Sequence, residues 1–372
     1  MRVLYLNNGG NRTSVLVPTE GWFRHLTPKG LEPVFVSAQM GPFHTWARQE
    51  GVTTYQLPLP FPNKYFPFPF LRALWRLRRL VKRHRIQAIH CNVQDVYPIG
   101  RCLGRICRLP VVVSVHFAMN RGFTSWAMSG PRQPERMFFV SRSCLETCRH
   151  SLEGVVPEGK WRVLYNGLDL RQYQPDESLR AQFRQRHGLG SDLVIGAAAA
   201  FRTVKQFEHL FRSVAALAAP RVRVVVAGRP MPGDEGYAKE LLEQGKRLLG
   251  DRLTHVGWLE DTRGFFNALD LFVNTSKEES FGISVLQAMA CACPVVGYPS
   301  VAVEEVVLPG GGEIVPQDDI PALSEALTRW LAEPGRLEAA RPDARRRAEY
   351  FDVRASANLL WGEYQSLPKG AA

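Results

Sequence analysis

Short apolar runs alternate with amphipathic stretches along nearly the whole chain, and no other feature of the sequence restricts the fold as much. Strands separated by helical patterns imply βαβ units, whose strands pair in parallel. Because helices cover both faces of a parallel sheet, its strands are apolar throughout rather than alternating. The predicted strands are Val3–Leu6, Pro33–Val36, Thr54–Leu57, Ala88–His90, Val111–His116, Met137–Val140, Val163–Tyr165, Leu193–Ala198, Val222–Ala227, Thr254–Val256, Leu271–Asn274 and Pro294–Gly297.

The chain of 372 residues is too long for one ordinary hydrophobic core, which indicates two domains. We predict a doubly wound domain over residues 1–170, a polar linker over 171–192 and a second doubly wound domain over 193–350. An amphipathic segment at about 353–367 is left over, and we expect it to cross back onto the first domain. The sequence thus predicts two Rossmann-like α/β domains facing each other across a cleft, with ligands beyond the carboxyl ends of the strands.

The bulk composition, 45% hydrophobic and 22% charged, is typical of a soluble protein. No apolar run reaches the roughly 18 to 20 residues that cross a bilayer. The opening stretch MRVLYLNNGG has neither the basic region nor the long apolar core of a signal peptide. The seven cysteines form no CxxC pair, so we expect reduced, mostly buried thiols. A cytoplasmic location is the expectation that follows.

The net charge of +12 is unevenly distributed. Residues 1–170 carry 23 Lys and Arg against 9 Asp and Glu, whereas the remainder carries 24 against 26. This asymmetry predicts that the first domain faces something anionic. Nucleic acid is one such partner, but no recognition motif accompanies the charge, so we do not expect it.

A basic, aromatic stretch at Phe61–Arg85 suggests another anionic partner. The segment FLRALWRLRRLVKRHR predicts a helix with Leu71, Leu74, Leu77 and Val81 near one face and basic side chains over the rest. Aromatic residues beside a cationic helix are typical of proteins that lie on anionic membranes. We therefore expect peripheral contact with the inner face of the cytoplasmic membrane. The alternative is a sheet-covering helix with a solvated outer face.

Two motifs in the first half follow predicted strands. NNGGNRTS places Gly9 and Gly10 where a backbone could approach a ligand closely, although a plain tight turn fits equally well. The GxGxxG fingerprint is absent, which argues against hydride transfer. His116 ends VVVSVH and His90 ends a similar run, so each is either a catalytic or a packed histidine.

A pair of cations follows a strand in the second half, where AAAAFRTVK delivers Arg202 and Lys205 three residues apart. Two fixed cations at a strand end suit a diphosphate, since arginine offers a bidentate fork and lysine a point charge. A solvated basic turn is the alternative.

The segment ESFGISVLQ follows the strand LFVN and predicts a turn that leads into a helix near Phe281. Glu279 lies in the turn, and the amides at the start of the helix favour an anion. Gln287 lies about two turns further on, so Glu279 and Gln287 could contact opposite ends of a nucleotide-sugar. A capping carboxylate and a satisfied core amide explain the same residues without a ligand.

The stretch ESFGISVLQAMACACPVV resembles the signature of retaining glycosyltransferases of family 4, which have the GT-B fold. That signature is usually a glutamate, seven residues and a second glutamate, followed by AMA and PVV. The resemblance covers nearly the whole chain, because other pieces follow in the family's order. These pieces are GG, VHF, VSRSC, VLYNGLDLRQYQP, FRTVK, VVVAG, HVGWLED and LDLFVNTSKEESFG.

The resemblance implies a transfer of sugar from a nucleoside-diphosphate sugar to a glycan or lipid-linked acceptor of a bacterial surface polysaccharide or lipopolysaccharide. It implies that Glu279 contacts hydroxyl groups of the donor sugar and that His116 reaches the same sugar. It also implies that Arg202 and Lys205 neutralise the leaving diphosphate. The remaining donor contacts that it implies are those of Gly9, Gly10, Trp258, Phe281, Gly282, Ile283 and Gln287.

Gln287 stands where the family's second glutamate binds ribose. An amide still hydrogen-bonds hydroxyl groups, with a loss of charge-assisted strength of about 1 kcal/mol. There is no convincing DxD motif, so we expect no metal or other cofactor, and cationic side chains and helix amides stabilise the leaving group instead. There is no obvious nucleophile pair either, and the resemblance implies front-face transfer with retention.

Two further functions fit the same residues. The chain could be a non-catalytic scaffold that binds nucleotide-sugars, with Gln287 as the sign of lost activity. It could also be a sugar-nucleotide epimerase of the same fold.

Overall fold

The structure is a computed structural model that describes residues 1–11, 14–217, 219, 221–333 and 335–368. The chain forms two compact units. The first comprises Met1–Gly167 together with the residues that follow Asp352, and the second comprises Leu168–Asp352.

A seven-stranded parallel sheet forms the centre of the first unit, in the order β3-β2-β1-β4-β5-β6-β7. Each strand lies within two residues of its predicted bounds. The strands are β1 (Arg2–Asn7), β2 (Glu32–Ser37), β3 (Thr53–Gln56), β4 (Ala88–Cys91), β5 (Val111–Val115), β6 (Arg136–Phe139) and β7 (Trp161–Val163).

Amphipathic helices connect these strands and bury their apolar sides against the sheet. They are α1 (Leu16–Leu26), α2 (Pro42–Gln49), α3 (Phe68–Arg83), α4 (Tyr97–Cys107), α5 (Arg121–Met128) and α6 (Arg142–Leu152). One prediction for α3 is wrong, because Leu71 is 55% exposed rather than part of the buried face. Leu71 is turned about 100° around the helix axis from Phe70, which takes the buried position at the first turn of α3.

The second unit has a six-stranded parallel sheet in the order β10-β9-β8-β11-β12-β13. Three of the predicted strands have both bounds as predicted: β8 (Leu193–Ala198), β9 (Val222–Ala227) and β11 (Leu271–Asn274). The other strands are β10 (Leu253–His255), β12 (Val295–Gly297) and β13 (Gly312–Ile314). Strand β13 was not predicted, because this edge strand is only three residues long and half-buried.

The helices of the second unit alternate with its strands. They are α7 (Glu177–Arg186), α8 (Phe207–Ala215), α9 (Glu235–Leu249), α10 (Arg263–Ala268), α11 (Ile283–Ala290), α12 (Val303–Val307), α13 (Ile320–Ala332) and α14 (Arg336–Glu349).

The stretch predicted as a polar linker, residues 171–192, instead contains α7 and belongs to the second compact unit. Phe183 buries its ring edge-to-face against Phe265 of α10. Arg180 and Arg184 of α7 donate to the buried carboxylate of Asp270 at 2.6 and 2.7 Å. The helix is polar in sequence because its contacts with the unit are ionic as well as apolar.

The amphipathic segment predicted at about 353–367 forms α15 (Val353–Gln365), which packs against α1 of the first unit. Trp22 Nε1 donates to Ser356 Oγ at 3.0 Å. Glu363 accepts from Arg136 and Arg162, each at 2.7 Å, and so ties α15 to β6 and β7. The first unit therefore includes two segments that are distant in sequence.

Two other predictions concern the chain as a whole. The seven cysteines are all free thiols, as expected from their spacing. In the part of the chain that the structure describes, no helix is both long and apolar enough to span a membrane.

Candidate functional site

The loops that follow β8 and β11 carry the predicted cations and the predicted carboxylate. These strands are neighbours in the sheet. After β8 the chain continues to β9 on one side, and after β11 it continues to β12 on the other side, so the switch point of the doubly wound sheet lies between β8 and β11. The two loops are joined directly. Thr275 Oγ1 donates to the carbonyl oxygen of Lys205 at 2.9 Å, and Lys277 N donates to that of Val204 at 2.8 Å.

Lys205 and Glu279 meet at this switch point. The ammonium group of Lys205 donates a short hydrogen bond to Glu279 Oε1, and it also lies 3.4 Å from the carbonyl oxygen of Glu278. Their side chains are 15% and 22% exposed, so solvent screens this pair less than an ordinary surface pair. The structure thus brings together two residues that the sequence placed 74 positions apart.

Arg202 differs from Lys205 in its surroundings. Its side chain is 54% exposed, and its nearest acidic partner is Asp234, at 3.6 Å from Nε. Such exposed pairs contribute little, about 0 to 1 kcal/mol, so the Arg202 guanidinium can exchange this partner for a ligand at low cost.

Backbone strain accompanies these loops. Gln206 follows Lys205 with φ of 49°, in the left-handed region, and its amide donates to Asp318 Oδ1 at 2.8 Å. Asp318 and Ser300 also have positive φ values, 63° and 50°. Gln317 links the three, since it contacts the side chains of Gln206 and Asp318 and accepts from Ser300 N. Non-glycine residues in this region cost about 1 to 3 kcal/mol each and are typical of functional sites.

Helix α11 begins at Ile283, four residues after Glu279. Gly282 precedes it at the N-cap position with φ of 88° and, as a glycine, offers no side chain to cap the first turn. The side chains of Phe281 and Ile283 are buried, and Phe281 packs edge-to-face on Phe351. The donor contacts predicted at 281–283 are those of backbone amides, so they do not depend on these buried side chains.

Gln287 is buried on α11, and its Nε2 donates to the hydroxyl of Tyr173 at 2.8 Å. Tyr173 Oη in turn lies 3.1 Å from Thr262 Oγ1. Sequence reasoning missed Tyr173, which lies 114 residues from its partner, and no local pattern links the two.

Trp258 follows β10 and is partly exposed, with the guanidinium of Arg229 over its ring at 4.6 Å from the centroid. Arg229 was not among the predicted residues either. It could have been predicted from the sequence, because it follows the strand β9 as Arg202 follows β8.

In the first unit, Gly9 and Gly10 follow β1 as predicted. A Cβ atom at Gly10 would lie 2.6 Å from His44 Nδ1 and 2.7 Å from Gly41 N, so the close approach of α2 requires a glycine there. A Cβ at Gly9 would meet nothing within 4 Å. Asn7 Nδ2 donates to the Gly9 carbonyl oxygen at 2.6 Å and fixes the loop.

His116 follows β5 directly and is 4% exposed. Burial lowers the pKa of His116 to about 4, although the hydrogen bond to the backbone of Asn92 acts to raise this pKa. The imidazole is therefore neutral at pH 7. Its Nε2 is buried and has no hydrogen-bond partner among the described residues. This ring nitrogen is therefore able to form a hydrogen bond with a ligand. Gln94 holds the backbone on both sides, since it accepts from His116 N and donates to Phe117 O.

His90 is a packed core histidine, which was one of the two predicted alternatives. Its ring nitrogens lie 2.5 Å from Tyr364 Oη and 2.7 Å from Ser114 Oγ. Burial lowers its pKa to about 3.

The predicted residues thus divide between the two units. Gly9, Gly10 and His116 lie beyond strand ends of the first sheet. Those beyond the strand ends of the second sheet are Arg202, Lys205, Trp258, Glu279 and the start of α11. Among the described residues, no three His, Cys, Asp or Glu side chains are placed to hold a metal ion.

The sequence matches two family models. The model described as glycosyl transferases group 1 matches residues 180–347, and the one described as glycosyltransferase family 4 matches residues 22–172. Together they cover most of both units.

Relatives with assigned functions include two lipopolysaccharide core biosynthesis mannosyltransferases. LpsB of Rhizobium meliloti (strain 1021) is 30% identical over 213 residues, which span 55% of this chain and 60% of LpsB. LpcC of Rhizobium leguminosarum bv. viciae is 25% identical over 301 residues, which span 80% of this chain and 83% of LpcC.

Solved structures resemble the chain along its whole length. HepE of Anabaena, in complex with UDP and glucose, has a TM-score of 0.87 at 20% identity, with 99% of this chain and all of HepE covered. WaaG, a glycosyltransferase involved in lipopolysaccharide biosynthesis, has a TM-score of 0.74 at 11% identity, with 98% and 100% covered. With the two parallel Rossmann-like sheets, these similarities identify the fold as GT-B.

Proposed function

Because the chain belongs to the group 1 glycosyl transferases of family 4, we propose that it is a retaining transferase that moves a sugar from a nucleoside-diphosphate sugar to an acceptor glycan or glycolipid. We propose that this acceptor belongs to a bacterial lipopolysaccharide or surface polysaccharide, by analogy with LpsB and LpcC. The observation that carries the proposal is the contact between Lys205 and Glu279 at the switch point of the second sheet.

This contact supplies both groups that such a donor needs. A carboxylate accepts hydrogen bonds from sugar hydroxyls, and an adjacent ammonium neutralises the diphosphate as the anomeric C–O bond breaks. Arg202 and the first amides of α11 add further positive charge for the same leaving group. HepE, which shares this fold, has been crystallised with UDP-glucose, which supports a nucleotide-sugar as donor.

We propose polar contacts for the first unit as well, each described within that unit. The neutral His116 offers its buried, unpartnered Nε2 to a sugar hydroxyl, and the Gly9–Gly10 loop offers backbone to the phosphate. We propose that Arg202, Lys205 and the α11 amides stabilise the leaving group without a metal ion.

Nucleotide binding tests this proposal. We expect calorimetric titration with UDP, GDP and ADP to show that one of them binds, and Arg202→Ala to weaken that binding by roughly 10- to 100-fold, because a charge-assisted hydrogen bond is lost. Arg212→Ala, on the exposed side of α8, is the matched control and should bind as the wild type does.

Turnover then separates the candidate functions. A transferase releases nucleoside diphosphate only when acceptor is present, and its rate is unchanged by EDTA if no metal takes part. An epimerase converts the donor without acceptor, and a scaffold binds the nucleotide without turnover. For a scaffold, Gln287→Glu should restore activity. Failure of all three nucleotides to bind would overturn the proposal.

We further propose that the protein is cytoplasmic and associates with an anionic membrane through a surface that we call the α3 patch. It consists of the exposed apolar side chains of Tyr65, Phe66, Phe68, Leu71 and Trp75 and the exposed cations of Arg72, Arg79, Lys82 and Arg83. Helix α3 contains no acidic residue, and its apolar members recur at the spacing of one helix face.

Vesicle co-sedimentation tests this surface. Phe68→Ser combined with Trp75→Ser should lower binding to phosphatidylglycerol vesicles at least about tenfold, because partial burial of two large apolar groups is lost. Binding should also fall with salt, since each cation near the surface contributes about 1 kcal/mol. Leu359→Ser, an exposed leucine of α15, is the control. Equal binding by wild type and double variant would contradict the proposal.

A further inference from the structure

The side chain of Gln287 is held in one orientation by the protein itself. Its Nε2 donates to Tyr173 Oη at 2.8 Å, within a buried part of the second unit. An amide has a donor end and an acceptor end, and only a fixed partner decides which end meets a ligand. The Tyr173 contact makes that choice here.

The Tyr173 hydroxyl can perform this task because its own proton has another acceptor. The side-chain nitrogen of Gln287, Nε2, can only donate a hydrogen bond, so Tyr173 Oη accepts from it. Thr262 Oγ1 lies 3.1 Å from Tyr173 Oη and offers an acceptor for the tyrosine proton. If the Tyr173 hydroxyl donated its proton to Gln287 instead, the acceptor would be Gln287 Oε1. The side-chain amide would then be turned by 180°, with Nε2 in the place of Oε1.

The backbone of Tyr173 is fixed as well. Arg345 Nη1 donates to the Tyr173 carbonyl oxygen at 2.8 Å and to the Ala290 carbonyl oxygen, in the last turn of α11, at 2.6 Å. Tyr173 N donates to the carbonyl oxygen of Asp169 at 3.2 Å. The segment that carries Tyr173 is thereby joined to the helix that carries Gln287.

Among the described residues, none donates a hydrogen bond to Gln287 Oε1. We infer that Tyr173 is a positioning residue, which holds the Gln287 amide so that Oε1 accepts a hydroxyl proton from the ribose of the donor nucleotide. The inference rests on the proposed function, because it assigns ribose to Gln287. In this arrangement Gln287 is a neutral substitute for a carboxylate, and Tyr173 ensures that the acceptor end of its amide faces the ribose.

This dependence on Tyr173 is specific to an amide. A carboxylate presents an acceptor oxygen in either orientation, so a glutamate at 287 does not need the tyrosine to choose its orientation. A merely structural Tyr173 would matter equally with either residue. The two cases therefore differ in a double-mutant cycle.

The measurement is the affinity of the nucleoside diphosphate that binds, UDP, GDP or ADP, divided by the affinities of its 2′-deoxy and 3′-deoxy forms. For the wild-type protein we expect a preference of about tenfold for the ribonucleotide over at least one deoxy form, as for one hydrogen bond. Tyr173→Phe should reduce this preference to about twofold or less and leave the deoxynucleotide affinity nearly unchanged.

In the Gln287→Glu background, Tyr173→Phe should leave the ribose preference unchanged. The inference is overturned if Tyr173→Phe weakens ribo- and deoxynucleotides equally, or if it lowers the preference equally in both backgrounds. Thr262→Val is a second probe that keeps the Tyr173 ring, and it should also lower the preference. No binding of UDP, GDP or ADP to the wild type would instead refute the proposed function.

Discussion

Replacing Lys205 by methionine is expected to lower kcat/KM for sugar transfer by about 10²- to 10³-fold, the cost of removing one group that stabilises developing charge. Methionine keeps the length and apolar stem of the side chain but removes the ammonium. Because Lys205 is only 15% exposed, water replaces its contact with Glu279 poorly, and the same holds for the contact with the departing diphosphate that we propose. The measurement is the initial rate of acceptor-dependent release of nucleoside diphosphate.

Lys239→Met is the matched control, since Lys239 is an exposed lysine of α9. Its rate should stay within about twofold of the wild type, as is usual for exposed positions. A Lys205→Met protein that retains a third or more of the wild-type kcat/KM would show that Lys205 has no part in the reaction.

Glu279→Gln separates binding from chemistry at the same contact. The amide removes the negative charge that occupies Lys205, so nucleoside diphosphate should bind as tightly as to the wild type, or up to about fivefold more tightly. Turnover should fall, because the contact with the sugar hydroxyls that we propose for Glu279 loses its charge. A parallel loss of nucleotide affinity would contradict this assignment of Glu279 to the sugar.

Replacing Asp270 by asparagine is expected to destabilise the second unit by about 3 to 5 kcal/mol. The Asp270 side chain is 9% exposed and accepts from Arg180, Arg184 and Arg341 at 2.6, 2.7 and 3.3 Å. Its Oδ2 also accepts from Val194 N at 2.8 Å. Asparagine leaves the partly buried guanidinium of Arg184 without an acidic partner among the described residues, and burial already lowers the pKa of Arg184. Arg180 and Arg341 keep only the exposed carboxylates of Glu177 at 4.0 Å and Glu338 at 2.6 Å.

Thermal unfolding measures this loss. At about 2 to 4 °C per kcal/mol for a unit of this size, the Tm should fall by roughly 6 to 20 °C. Asp251→Asn, whose side chain is 99% exposed, removes the same charge and should change stability by less than about 0.5 kcal/mol. Equal shifts in the two variants would mean that the arginine cluster is not held by Asp270.

The strands of both sheets were predictable because most of them are buried on both faces, as β8, β9 and β11 show. Continuous apolar runs bounded by turns leave little choice of register along the chain. The exceptions are informative. Strand β13 has too few apolar residues to give a signal, and α7 reads as a polar linker because arginine contacts with Asp270 accompany its one buried aromatic ring.

The candidate site was predictable where it follows strands. Arg202, Lys205 and Glu279 were placed by the rule that ligands bind beyond the carboxyl ends of parallel strands. The contact between Lys205 and Glu279 needed the strand order, in which β8 and β11 are neighbours. Tyr173 could not be found in this way, because its role depends on one hydrogen bond between residues 114 positions apart.

The packing of α15 on α1 has a consequence for how the protein forms on the ribosome. The second unit is one continuous segment, Leu168–Asp352, and all of it is available once Asp352 has left the exit tunnel. The first unit at that moment still lacks α15, which supplies Ser356 to Trp22 and Glu363 to Arg136 and Arg162. Because synthesis starts at the N-terminus, the second unit has all of its residues available before the first unit does. The first unit can complete its fold only after α15 has been synthesised.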